Sequence, residues 1–215
     1  MSLITTQIEK TTEAQQGLYF LHCLDKDNTT YNVSINLHLC GHLNFGALEK
    51  SIATLVDRHE SLRTSFRLDK DQLVQLIHPA AQSIPPAPEN SNQDSGYLKC
   101  YPLADGLSGV DQQQLLNREI NRPFDLNRAP LFRCAVFSSG DNTESSEHLF
   151  NFTVHHNTFD HQSKAIFTDE LTGLYNHYAH GANIELNSDV PQFTDYVNAR
   201  QERQLQSNSL SLIHI

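Results

Sequence analysis

The sequence predicts a mixed α/β fold, and three stretches carry that prediction. From Tyr31 the residues alternate, with Tyr31, Val33, Ile35, Leu37 and Leu39 on one side and Asn32, Ser34, Asn36 and His38 on the other. That is the period-two pattern of a half-buried strand. Phe45, Leu48, Ile52, Leu55 and Val56 then recur at the 3.6-residue period of an amphipathic helix. Later, residues 131–137 and 149–154 read as neighbouring strands and lead into a helical stripe of Phe167, Leu171, Leu174, Tyr175 and Tyr178. Strands interleaved with helices, rather than segregated from them, predict a mixed β-sheet flanked by helices.

The first element is a helix over residues 13–24, with Ala14, Leu18, Leu21 and Cys23 as its apolar side and Gly17 inside it. The strand at 31–39 ends at Gly41, and Asn44 is placed to cap the second helix, which runs to Arg58. Residues 62–68 and 72–77, split by Asp69-Lys70-Asp71, read as a hairpin. Residues 79–96 hold Pro79, Pro85, Pro86 and Pro88 among many Ser, Asn and Gln, which predicts a surface loop. A helix over 110–121 stops before Pro123, because the residue preceding proline is biased out of helical geometry. The strand at 131–137, the polar loop at 138–147 and the strand at 149–154 follow. Gly181 is suited to ending the fourth helix, and a last helical piece covers 192–206.

Bulk properties narrow the function classes. A net charge of -10 and a pI near 5.5 argue against a general nucleic-acid binder, which needs a basic face. Hydrophobic residues at 38% without a long apolar run fit a globular chain of one core rather than a membrane span or a disordered chain. Residues 1–10 show no secretory leader, so a cytoplasmic location is expected. Cys23, Cys40, Cys100 and Cys134 form no CxxC pair and read as reduced thiols.

The chemistry-bearing motif is His155-His156-Asn157-Thr158-Phe159-Asp160. Strand alternation sends His156 with Phe150, Phe152 and Val154, and His155 with Asn151 and Thr153, so the two rings take different roles. His156 stands where an apolar strand gives way to a loop, a rim position suited to meeting a ligand. Histidine serves as a general base because its ordinary pKa, about 6.5, lies near working pH. Three readings of the pair stand together: structural histidines, acid–base catalysis, or metal ligation with Asp160 and His161. The helical spacing of HExxH is absent, as are GxSxG, GxxxxGK and GxGxxG. Asp160 is placed to cap the next helix, pair with an arginine or orient an imidazole.

Five collinear segments resemble the condensation domains of nonribosomal peptide synthetases, in the chloramphenicol-acetyltransferase-like superfamily. They are Glu13-Ala14-Gln15-Gln16-Gly17-Leu18-Tyr19-Phe20-Leu21; Arg58-His59-Glu60-Ser61-Leu62-Arg63-Thr64-Ser65-Phe66; Pro123-Phe124-Asp125-Leu126 with Pro130-Leu131-Phe132-Arg133; His155 to Asp160, similar to HHxxxD; and Phe193-Thr194-Asp195-Tyr196 through Gln201. Two positions depart from the family patterns: His161 stands where HHxxxDG has glycine, and Ala199 where FxDYxxWQ has tryptophan.

The resemblance implies a chloramphenicol-acetyltransferase-like lobe. Its activity would be amide or ester formation between a carrier-bound acyl or peptidyl thioester and an amine or hydroxyl acceptor. A carrier-binding module and a coenzyme A-dependent acyltransferase are the alternatives. His156 would assist the attack, His155 would support it, and Asp160 would be held by a buried ion pair with Arg63. His161 puts a Cβ where the backbone turns into the helix. No metal or directly bound cofactor is implied; the phosphopantetheine arms of acyl or peptidyl carrier domains would present the substrates. Partners would be those carriers and a second, C-terminal lobe, with neither nucleic acid nor membrane. Residues 1–182 are expected to form the N-terminal lobe, 183–206 a connecting helix and 207–215 an atypical tail. An uncovered inter-lobe face would favour self-association. Without the second lobe, the chain is expected to be inactive or nearly so.

Overall fold

A computed structural model of the chain describes residues 6–80, 96–103, 109–139, 142–187 and 189–211. Its elements are β1 (Gln7–Lys10), α1 (Glu13–Leu24), β2 (Asn32–Cys40), α2 (Phe45–Arg58), β3 (Thr64–Asp69), β4 (Gln72–Ile77), β5 (Leu98–Leu103), α3 (Val110–Ile120), β6 (Phe132–Ser139), β7 (Glu147–His155), α4 (His161–His180) and α5 (Phe193–Ser211). The loop expected over 79–96 falls mostly outside the described residues.

The strands form two sheets, in the orders β1-β4-β3 and β2-β7-β6-β5. The larger sheet is mixed: β5 runs parallel to β6, while β2, β7 and β6 pair antiparallel. Its register sets Ile35 opposite Phe152 and Asn32 opposite His155, so the pairing stops where the histidine motif begins. Ile35, Phe150, Phe152 and Val154 bury one face against Ile52 and Leu55 of α2 and Phe167 and Leu171 of α4. Phe152 and Phe167 stack with ring centroids 4.0 Å apart. On the other face Ala135 and Phe137 meet Leu116 of α3. Helices thus flank a mixed sheet, as the interleaved pattern predicts.

The small sheet is built on a hairpin whose two-residue turn, Lys70-Asp71, has positive φ at both positions, 47° and 68°. Such turns match the right-handed twist of the flanking strands. The residue pattern predicts that this hairpin starts at Leu62; instead Glu60–Arg63 forms a short 3-10 turn and β3 begins at Thr64. Two strands leave no mark in the pattern. β1 has four residues and a single apolar side chain, and β5 carries Pro102, which an edge strand tolerates.

α1 is turned inside out relative to its hydrophobicity. Its buried residues are Gln15, Tyr19 and His22, whereas Leu18 is half-buried and Ala14, Phe20, Leu21 and Leu24 are exposed. Tyr19 anchors the helix by joining Phe66, Phe124, Leu126 and Leu131 in a second cluster. The inward polar groups are useful: Gln15 Oε1 accepts from the Thr12 N–H, completing a capping box, and its Nε2 donates to Asn157 O at 3.4 Å.

The segment expected to connect toward a second lobe is fastened to this one. Ile184 and Leu186 pack against the main core. The Gln192 side chain donates to Arg58 O at 3.1 Å and accepts from the Glu60 N–H at 3.0 Å. The Phe193–Ser211 helix then extends five residues past the predicted end at 206, and 212–215 lie outside the described residues.

Candidate active site

The histidine motif sits where β7 ends, and its backbone is fixed from three sides. The His155 N–H donates to Leu131 O at 2.9 Å, the His156 N–H to Tyr31 O at 2.8 Å, and Gln15 holds Asn157 O. The Thr158 N–H donates back to His155 O at 3.1 Å and closes a tight turn. Because the strand stops at His155, His156 leaves the face of Phe152 and Val154 that alternation predicts for it. The role separation survives: His155 is buried and His156 is exposed.

His156 Nδ1 lies 2.7 Å from Phe159 O. A carbonyl can only accept, so Nδ1 carries the proton and the neutral ring presents Nε2 as its basic nitrogen. His156 lines an open cleft of about 750 Å³ between α1, the motif and the start of α5. A base held in one tautomer at the edge of such a cleft can accept a proton from a nucleophile bound there.

His155 is built for the opposite task. Its Nδ1 accepts the Asn157 N–H at 3.1 Å, and its ring meets Phe124 edge-on. Burial, reinforced by His22 and His156, pushes it down to about 4. The ring is neutral and fixed, and it shapes the turn that presents His156.

Asp160 is the N-cap of α4. Its Oδ1 accepts the Ser163 N–H at 2.8 Å and the Ser163 hydroxyl at 2.7 Å. Burial would raise this carboxyl, but those bonds, the Gln162 backbone and nearby His156 hold it below the ordinary carboxylate value. The ion pair expected with Arg63 is not formed. Arg63 instead donates from Nη1 to His78 O at 2.8 Å, with Nη2 3.9 Å from Glu60. The capping bonds take up the carboxylate on its own helix.

His161 is also placed differently from expectation. It is the first residue of α4 and exposed, and it is not among the positive-φ residues of the described chain, so its backbone makes no demand for glycine. Ala199 is exposed on α5. Among the described residues no group of three or more His, Cys, Asp or Glu is arranged to hold a metal ion.

Two parts of the site escape the sequence pattern. Tyr31 contributes a backbone oxygen, which no side-chain pattern announces. Gln15 lies within a quoted motif, but its inward direction contradicts the apolar stripe of α1; the signal available is the spacing of Gln15, Tyr19 and His22 at positions i, i+4 and i+7.

The condensation domain family matches residues 6–211. The chain belongs to that family. Among curated relatives, tyrocidine synthase 3 of Brevibacillus parabrevis is 33% identical over 75% of this chain and 2% of its own length. Chondramide synthase cmdD of Chondromyces crocatus is 30% identical over 89% of the chain and 4% of its own length. The first condensation domain of the CDA synthetase superposes with a TM-score of 0.71 at 24% identity, over 92% of this chain and 45% of that one. A chain from the complex of the X-domain and OxyB from teicoplanin biosynthesis gives a TM-score of 0.74 at 28% identity, over 94% and 40%. This condensation chain therefore spans a few percent of the curated relatives it matches and under half of the solved chains.

Proposed function

We propose that the chain is the base-bearing lobe of a condensation domain that joins a carrier-bound thioester donor to an amine or hydroxyl acceptor. The observation that carries this reading is the His156 tautomer, locked by Phe159 O with Nε2 left for the cleft. As the acceptor nitrogen or oxygen attacks the thioester carbonyl, Nε2 takes its proton; the new C–N or C–O bond forms, the C–S bond breaks, and the imidazolium returns the proton to the departing thiolate. His155 positions the turn, Asp160 fixes the start of α4, and Arg63 braces the Glu60–Arg63 turn against His78 O. His161, exposed at the first position of α4, has no share in the proton transfer in this reading.

The partners in this reading are acyl or peptidyl carrier domains, whose phosphopantetheine arms bring the substrates, and a second lobe that closes the cleft. The lobe proper is residues 1–182, and the segment from 183 leads to its partner, with the Phe193–Ser211 helix running through the boundary expected at 206. The cytoplasm suits such partners and the free thiols of Cys23, Cys40, Cys100 and Cys134; no described helix is long and apolar enough to cross a membrane.

The test is condensation from loaded carriers by this lobe joined to a second lobe. His156→Ala is expected to lower turnover by roughly 10²–10⁴-fold with its thermal melt unchanged. Unchanged turnover would falsify the catalytic assignment. The 28% identity to a chain from a complex of the X-domain with OxyB supports docking of a protein partner, and a carrier-binding module without catalysis is the second reading. In that case carrier binding persists and His156→Ala has no effect on any product.

A further inference from the structure

Gly173 and Gly181 have structural reasons to be glycine. A Cβ at Gly173 would stand 2.7 Å from Ile184 Cδ1, and Gly181 ends α4 with φ +69°. Gly17 has neither reason. It lies within α1, and an added Cβ would meet no heavy atom within 4 Å. Glycine inside a helix is less stable than alanine because its backbone loses more freedom on folding. No close packing at Gly17 offsets that loss. The space beside it belongs to the cleft that His156 lines.

The walls of that cleft have a definite chemistry. Ala14, Leu18 and Leu21 share Gly17's side of α1, and Phe159 and Phe193 also line the cleft. The charged carboxylates among the described lining residues are Glu60 and Asp160, and both are engaged, Glu60 by the Thr194 hydroxyl at 3.0 Å and Asp160 by Ser163. An anionic group entering there meets two carboxylates and no described lysine or arginine on the wall. A cationic group meets carboxylates already hydrogen-bonded. An apolar group gains from the surface it removes from water there.

We propose that Gly17 is a specificity-determining position, and that the wall it forms with Ala14, Leu18 and Leu21 receives a bulky apolar group of the thioester substrate beside His156. The proposal rests on the reading of this cleft as a condensation site. The missing side chain at residue 17 leaves the volume that the group fills, and the inside-out orientation of α1 supplies its apolar surface.

The test is a ligand-observed NMR titration of the 215-residue chain with hexanoyl, succinyl and 6-aminohexanoyl thioesters of N-acetylcysteamine. The hexanoyl thioester is expected to bind at least tenfold more tightly than either charged one. Gly17→Leu is expected to weaken it at least tenfold while the melting temperature holds or rises; Gly17→Ala should melt higher and bind at an intermediate level. Equal binding of a charged thioester, absence of hexanoyl binding, or a folded Gly17→Leu that binds like the parent overturns the proposal. If discrimination fails while His156→Ala still abolishes turnover in the two-lobe assay, only the pocket is rejected. If discrimination holds while turnover survives His156→Ala, only the catalytic reading is rejected.

Discussion

His155 and His156 are adjacent, yet the fold gives one to the core and the other to the cleft. The buried ring makes stability depend on pH. Burial pushes His155 from the ordinary 6.5 down to about 4, and His22 and His78 are lowered by burial as well. The folded state favours the neutral ring, so the unfolded chain binds the extra proton between those values. Stability is therefore full above pH 6.5 and is lost as the pH falls toward 4, by on the order of 3 kcal/mol for His155. Urea titrations at about pH 7 and about pH 4.5 measure this, and His155→Phe should shrink the difference; an undiminished difference would assign it to other groups. Asp160 provides a second test. Asp160→Ala should lower stability by about 1 kcal/mol through the lost cap, and its coupling to Arg63→Ala in a double-mutant cycle should stay below about 0.5 kcal/mol. A coupling of several kcal/mol would restore the ion pair implied by the family resemblance. Alternation makes legible that the two histidines differ, but not which one is exposed: the strand ends at His155, and the turn carries His156 off the buried face of Phe152 and Val154. The partner of Asp160 is not legible, because a carboxylate at a helix start has a local donor and a distant one, and only the folded backbone decides between them.

At the scale of elements, the sequence is most legible where burial and periodicity agree. α2 shows this: its predicted stripe of Leu48, Ile52, Leu55 and Val56 is buried as read, and its Asn44 cap accepts the Ala47 N–H at 2.9 Å. It is least legible where an element serves something other than the core. α1 buries Gln15 and His22 and leaves Leu21 outside, because its inner side organises the histidine turn and its outer side faces the cleft. β1 and β5 are edge strands, where one neighbour suffices and strong alternation is not required.

At the scale of the whole molecule, the apolar side of α1 has a consequence for association. Phe20 and Leu24 are 61% and 68% exposed, and contiguous apolar surface of this kind drives contact between copies. Light scattering after gel filtration should report a mass above 24.3 kDa that rises with concentration, and Phe20→Glu with Leu24→Glu should return it to the monomer value. A parent chain that stays monomeric throughout would show that the exposed side is tolerated in water. The central position of β7 bears on how the lobe is made. Asn151 in β7 bonds Ser34 in β2 across 117 residues of sequence, so the large sheet has no middle until its last strand arrives. A chain emerging from the ribosome can form α2 and the β3–β4 hairpin early from local contacts, but it must hold β2 and β6 apart until β7 slots between them. The histidine turn is attached to that last strand. It takes its place only as the fold closes, and a nascent chain halted before β7 has β5 and β6 available to pair while β2 stands apart.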